Sequence, residues 1–176
     1  MAEKRALIFC SASKRIDPDF NHAAREFVRA ACLHGYTIVS GGTTKGTMGI
    51  ISDAVAECGG RHRGIVPRFM ADVAYPSLSE TVWTDTMAER KEAMREGTCL
   101  AVALPGGIGT MDELMETLTL SKMGKYDGKV VALDIKGYYE PLKALLDHMV
   151  QSGMLERRDR DLISFPSSVE ELIEYL

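Results

Sequence analysis

No stretch of this 176-residue chain approaches the roughly 20 consecutive apolar residues that a membrane span requires. Charge of one sign is not in excess either. A net charge of −4, with charged residues at 26%, argues against a nucleic-acid or acidic-membrane partner held by bulk charge. Cysteine is sparse: Cys10, Cys32, Cys58 and Cys99 lie far apart with no C-x-x-C pair, which excludes a disulfide framework and a zinc site of the usual spacing. The four histidines (His22, His34, His62, His148) show no metal-ligand spacing, and no metal or cofactor is expected. Met1 to Arg5 runs straight into a short apolar stretch without signal-peptide architecture, so a cytoplasmic location is expected. What remains is average: 45% hydrophobic residues over a length that suits one domain, taken as residues 1–176.

The recurring pattern is a short apolar run, a turn often bearing glycine, then a helical stretch. Strands are predicted at 5–10, 36–40, 62–66, 81–84, 99–104, 130–135 and 162–165, with helices between them. Asp17-Pro18 supplies an N-cap and a first-turn proline, and Gly35 ends the helix that follows. Asp85 can cap the helix before the fifth strand, and Ser167-Ser168-Val169-Glu170 has capping-box spacing for the last one. Residues 67–79 read as a loop long enough to be functional. Apolar strands alternating with helices predict an α/β, Rossmann-like domain: a mainly parallel sheet of about seven strands covered on both faces. Ligands in such folds bind beyond the carboxyl ends of the strands.

Three constellations lie there. Gly41-Gly42-Thr43-Thr44-Lys45-Gly46-Thr47-Met48-Gly49 opens a helix after the second strand and can receive a phosphate or simply pack tightly. It is not a Walker A loop, because Lys45 precedes Gly46. After the fifth strand, Gly106, Gly107, Ile108, Gly109, Thr110, Met111 and Asp112 form a second glycine-rich turn into a helix, which suits a phosphate. Glu113 has two readings: it completes a Thr-x-x-Glu capping box with Thr110, or it sits one turn inside the site beside a sugar. Third, Arg90 lies between Met87 and Met94 on one helical face. A buried arginine there needs a partner, for which Glu113 is the candidate; otherwise it snorkels to water. Ser11 and Ser13, after the first strand, can touch a ligand but lack a G-x-S-x-G elbow.

Pro105-Gly106-Gly107-Ile108-Gly109-Thr110-Met111-Asp112-Glu113 resembles the P-G-G-x-G-T-x-x-E motif of the Lonely Guy family, the cytokinin riboside 5'-monophosphate phosphoribohydrolases. Met87 with Arg90-Lys91 is similar to the family's M-x-x-R-K motif, and Gly41 to Gly49 to its third glycine-rich signature. Gly137-Tyr138-Tyr139-Glu140-Pro141-Leu142 extends the likeness to nearly the whole chain. The resemblance implies a homodimer, working without a metal, that cleaves the N-glycosidic bond of a nucleoside 5'-monophosphate to free base and ribose 5-phosphate. It implies Arg90 and Glu113 as catalytic residues, with Arg90 orienting Glu113 and keeping it ionised. It places the 5'-phosphate at Gly107 to Thr110, lines the nucleotide site with Lys91 and Thr119, and puts Asp72 near substrate. Ala12, Thr43, Thr44, Ala88, Leu120 and Lys122 depart from the family pattern around the substrate region. The base is left open between an N6-substituted adenine and plain adenine. The rival is a non-catalytic nucleotide or molybdenum-cofactor carrier of the same fold. No pyridoxal-phosphate lysine context supports the decarboxylase label such sequences sometimes carry.

Overall fold

The computed structural model describes residues 3–176. Fourteen strands and helices follow in chain order: β1 (Lys4–Phe9), α1 (Pro18–Leu33), β2 (Tyr36–Ser40), α2 (Gly46–Glu57), β3 (His62–Pro67), β4 (Glu80–Thr84), α3 (Met87–Arg95), β5 (Leu100–Ala103), α4 (Ile108–Lys122), β6 (Lys129–Ala132), α5 (Glu140–Gln151), α6 (Arg157–Arg160), β7 (Ile163–Ser164) and α7 (Val169–Ile173). All seven strands join one sheet in the order β4-β3-β2-β1-β5-β6-β7, and every ladder in it is parallel. A parallel sheet must be covered on both faces, and alternate strand residues serve the two cores. Ala6 and Ile8 of β1 pack with α1, α2 and α7. Leu7 and Phe9 pack with Met94 of α3, Leu114 of α4 and Leu146 of α5. No helix among the described residues is long and apolar enough to cross a membrane.

The topology fixes where a ligand can sit. From β1 the chain winds outward through β2 and β3 to β4, then returns to place β5 on the other side of β1. The connections leaving β1 and β5 therefore diverge, opening a crevice at their carboxyl ends. Asp17 caps α1 through Asp19 N–H, with Pro18 in the first turn, as the sequence predicts.

Four details differ from the sequence reading. The last helix is capped by Ser168, not Ser167, because Glu171 reaches back to the Ser167 N–H one residue later than the Ser-x-x-Glu spacing suggested. Thr86 rather than Asp85 caps α3, in a capping box with Glu89. The 67–79 loop contains a 3-10 segment, Arg68–Val73, pinned to the glycine turn by Thr44 N–H to Val73 O and Tyr75 N–H to Gly42 O. Finally, α4 begins at Ile108, three residues before the predicted start.

Candidate active site

The early start of α4 decides between the two readings of Glu113. Gly107 is its N-cap and supplies no side chain, so Thr110 already lies inside the helix. The capping box is overturned: Glu113 projects from the second turn and ion-pairs with Arg90, Nη1 to Oε1 at 3.2 Å. Asp112, past the first turn, pairs with Lys91 at 3.0 Å.

Arg90 reaches this spot because the Thr86–Glu89 box fixes the start of α3 and Met87, Arg90 and Met94 share its inward face. The side chains of Arg90 and Glu113 are only 7% and 11% exposed, so Arg90 does not snorkel. Its Nε–H donates to the Ile65 carbonyl at 3.1 Å, which leaves the rest of the guanidinium for Glu113 and the space beside it. Burial pushes the Glu113 carboxyl up to about 7, with the Arg90 charge pulling the other way. Arg90 thus favours the ionised form, while burial is the larger influence and holds the carboxyl near 7.

A cavity of about 210 Å³ opens beside the pair, at the carboxyl ends of β1 and β5. Gly41, Gly109 and Thr110 line it with Arg90 and Glu113, and so do Ala12, one of the departures from the family pattern, and five residues not named as site candidates: Ile8, Cys10, Met48, Met70 and Met94. Methionine suits an adaptable apolar wall. Met48 and Met70 carried a signal only through the glycine turn and the long loop that bear them. Burial and the Glu113 charge push the Cys10 thiol well above its ordinary range, so it stays protonated and is no nucleophile. A larger open depression of about 930 Å³ runs along the outer side of α3, from Thr86 to Thr98, and is lined across from it by Glu116, Leu120 and Tyr126. It does not include Arg90 or Glu113, and its Arg95 and Glu116 pair with each other.

The two glycine turns play different parts. The first turn of α4 has no capping side chain and no acid, so its leading N–H groups point outward unspent. Thr110 Oγ1 is buried there without a protein partner, tucked under Gly106, where a Cβ would come within 2.1 Å of it. An uncapped helix start beside a free hydroxyl has the donors to receive an anion. The N-terminus of α2 is closed instead: Thr47 N–H donates to the Ser11 carbonyl at 2.9 Å, and Gly46, at φ +53°, packs on the Ala12–Ser13 backbone. Packing is therefore the reading that the Gly41–Gly49 turn supports. Gly41 faces the cavity, while Gly42 sits against Gly64. A Cβ at Gly41 would fall 2.2 Å from Arg90 Nη2 and 2.7 Å from Met48 Sδ. Gly41→Ala is expected to displace the guanidinium from Glu113 and lower activity at least tenfold, with circular dichroism unchanged.

Comparison with known proteins identifies the family. A family model described as "Possible lysine decarboxylase" matches residues 48–176. The cytokinin riboside 5'-monophosphate phosphoribohydrolase LOG5 of Arabidopsis thaliana is 31% identical over 175 residues, covering 98% of this chain and 77% of the relative. The enzyme LOG2 of the same plant is 32% identical over 176 residues, 98% and 82% of the two chains. The chain belongs to the Lonely Guy family.

Among solved structures, the molybdenum cofactor carrier protein of Chlamydomonas reinhardtii aligns with a TM-score of 0.76 at 18% identity, covering 98% of this chain and 95% of that one. The molybdenum cofactor binding protein of Rippkaea orientalis gives 0.75 at 19% identity, over 99% and 95%. At such identities these carriers share the Lonely Guy fold and no more. Not every candidate site residue meets at the cavity. Lys91 turns to Asp112 and Glu116 on α4. Ser13 borders a separate groove with Lys14, Asn21 and Thr44, and Asp72 is exposed. Ile108 is 90% exposed at the turn, and Met111 packs partly against the sheet. Thr119, six residues past Glu113 and on another face of α4, lines a groove with Leu146 and Met149.

Proposed function

We propose that this chain is a nucleoside 5'-monophosphate phosphoribohydrolase, releasing free base and ribose 5-phosphate from AMP or from AMP carrying an N6 substituent. One observation carries the reading: a buried Arg90–Glu113 pair, its carboxyl poised near neutrality, set just behind an open helix N-terminus. The names of the curated relatives support the same reaction. The 5'-phosphate binds the first-turn N–H groups of α4 and the free Thr110 hydroxyl. Glu113 lies four residues, about 6 Å, further along the helix than Gly109, so it faces the ribose rather than the phosphate. As the glycosidic bond lengthens, positive charge grows on the ribose, and the ionised carboxylate stabilises it and orients the attacking water. Arg90 holds that carboxylate in place. The methionine wall receives the base. The protein works as a cytoplasmic homodimer with no metal or cofactor and no nucleic-acid or membrane partner. The exposed Met123, Leu145 and Met154 are apolar surface available to a second copy.

Incubation with AMP and with N6-isopentenyl-AMP, separately, is expected to yield base and ribose 5-phosphate in equal amounts from at least one. The ratio of the two rates reports which base the cavity prefers. Nucleotide bound without release from either would turn the reading toward a carrier.

A further inference from the structure

We infer that Tyr138 is a positioning residue for the phosphate turn, its hydroxyl holding the Pro105–Gly106 segment in the shape that presents the α4 N-terminus. The inference rests on the proposed function. Glycine-rich turns have little packing of their own: a Cβ at Gly107 or Gly109 would meet nothing within 4 Å. Their conformation must be imposed from outside, and two consecutive tyrosines do this. Tyr138 donates its hydroxyl to the Gly106 carbonyl at 2.6 Å, and Tyr139 donates to the Leu104 carbonyl at 2.8 Å, one on either side of Pro105.

Adjacent residues in a regular helix or strand diverge, so an unusual backbone is needed to send both rings to one segment. Lys136 and Gly137 supply it, at φ +57° and +70°; Lys136 is the only non-glycine residue with positive φ among those described. Ion pairs from Lys136 to Asp17, at 2.7 Å, and to Asp19 hold it there. Asp134 accepts the Tyr139 N–H at 2.6 Å, and the Tyr138 ring packs edge-on against Phe20 and Tyr139. The two tyrosines differ in burial. Tyr139 is 2% exposed and belongs to the core, whereas Tyr138 is 40% exposed, so its hydroxyl can be removed with little loss of packing.

The test compares the wild type with Tyr138→Phe. The KM for AMP, and the dissociation constant of ribose 5-phosphate by calorimetry, are both expected to rise about tenfold, the size of one hydrogen bond. The kcat should stay within about twofold, free adenine binding should not change, and the melting temperature should hold. A purely structural tyrosine predicts the reverse: a lower melting temperature with the ribose 5-phosphate constant unmoved, and that result overturns the inference. Should the wild type bind ribose 5-phosphate yet release no base, the hydrolase reading falls while calorimetry still decides the role of Tyr138. Failure of the wild type to bind ribose 5-phosphate overturns both.

Discussion

Glu113→Gln is expected to lower base release by ~10²–10⁴-fold, the usual worth of a carboxyl acting on the reacting centre, while nucleotide affinity stays near that of the wild type. The substitution keeps size and hydrogen-bonding capacity, so the cavity keeps its shape. It removes the charge that faces the developing oxocarbenium ion and the attacking water, and with it the anionic partner of Arg90. A helix cap would respond otherwise, with a stability loss of about 1 kcal/mol and ordinary turnover. The same variant reports on the perturbed carboxyl through stability. Glu113 titrates at about 7 when folded, against 4.5 for an unperturbed glutamate. The folded state therefore binds the extra proton, and the stabilisation is complete below about pH 4.5 and is lost as pH rises through 7. His62 acts in the opposite sense. Burial holds it down to about 4, so it withdraws stability as pH falls from 6.5. The difference between wild type and variant, measured by denaturant unfolding at pH 5 and pH 8, isolates Glu113: the variant gains relative stability at the higher pH.

Arg90→Met should be the most damaging substitution for fold and chemistry together. It leaves Glu113 buried without its cation and the Ile65 carbonyl without its donor. Breaking a buried pair from one side costs about 3–5 kcal/mol while the remaining charge stays ionised. Here the carboxyl escapes by taking a proton, so the loss is expected to be largest at pH 8 and clearly smaller at pH 5. Without the Arg90 charge, burial is opposed only by the weaker influence of Lys91 and drives Glu113 further up. A protonated carboxyl stabilises no cation, and turnover at neutral pH should fall at least as far as in Glu113→Gln. Equal destabilisation at both pH values would show that Glu113 does not titrate in this window.

The order of elements could be read from the chain because it rests on local patterning, whereas Arg90 and Glu113 are singled out as catalytic candidates by the family motifs and not by spacing alone. Apolar runs set the strands, Asp17-Pro18 set the start of α1, and the Met87–Arg90–Met94 spacing set the face that carries the arginine. What escaped the sequence depends on contacts between distant segments. Nothing local says that β5 returns beside β1, yet that adjacency creates the crevice. The start of α4 was misplaced because Gly107-Ile108-Gly109 looks like loop by propensity, whereas Leu104 and Gly106 are gripped by tyrosines more than thirty residues away. The composition of the Gly41–Gly49 turn fits a phosphate as well as close packing, and the structure gives Gly41 the duty of making room for a guanidinium. The four-residue α6 has too little periodicity to register.

The pH dependence of kcat/KM for base release, which reports the groups of the free protein, tests the central claim most directly. With a carboxylate that must be ionised and is held near neutrality by burial, kcat/KM should rise with pH along a limb centred at about 7 and level off above it. A kcat/KM that stays flat from pH 5 to pH 9 would contradict the assignment of Glu113 to the chemical step.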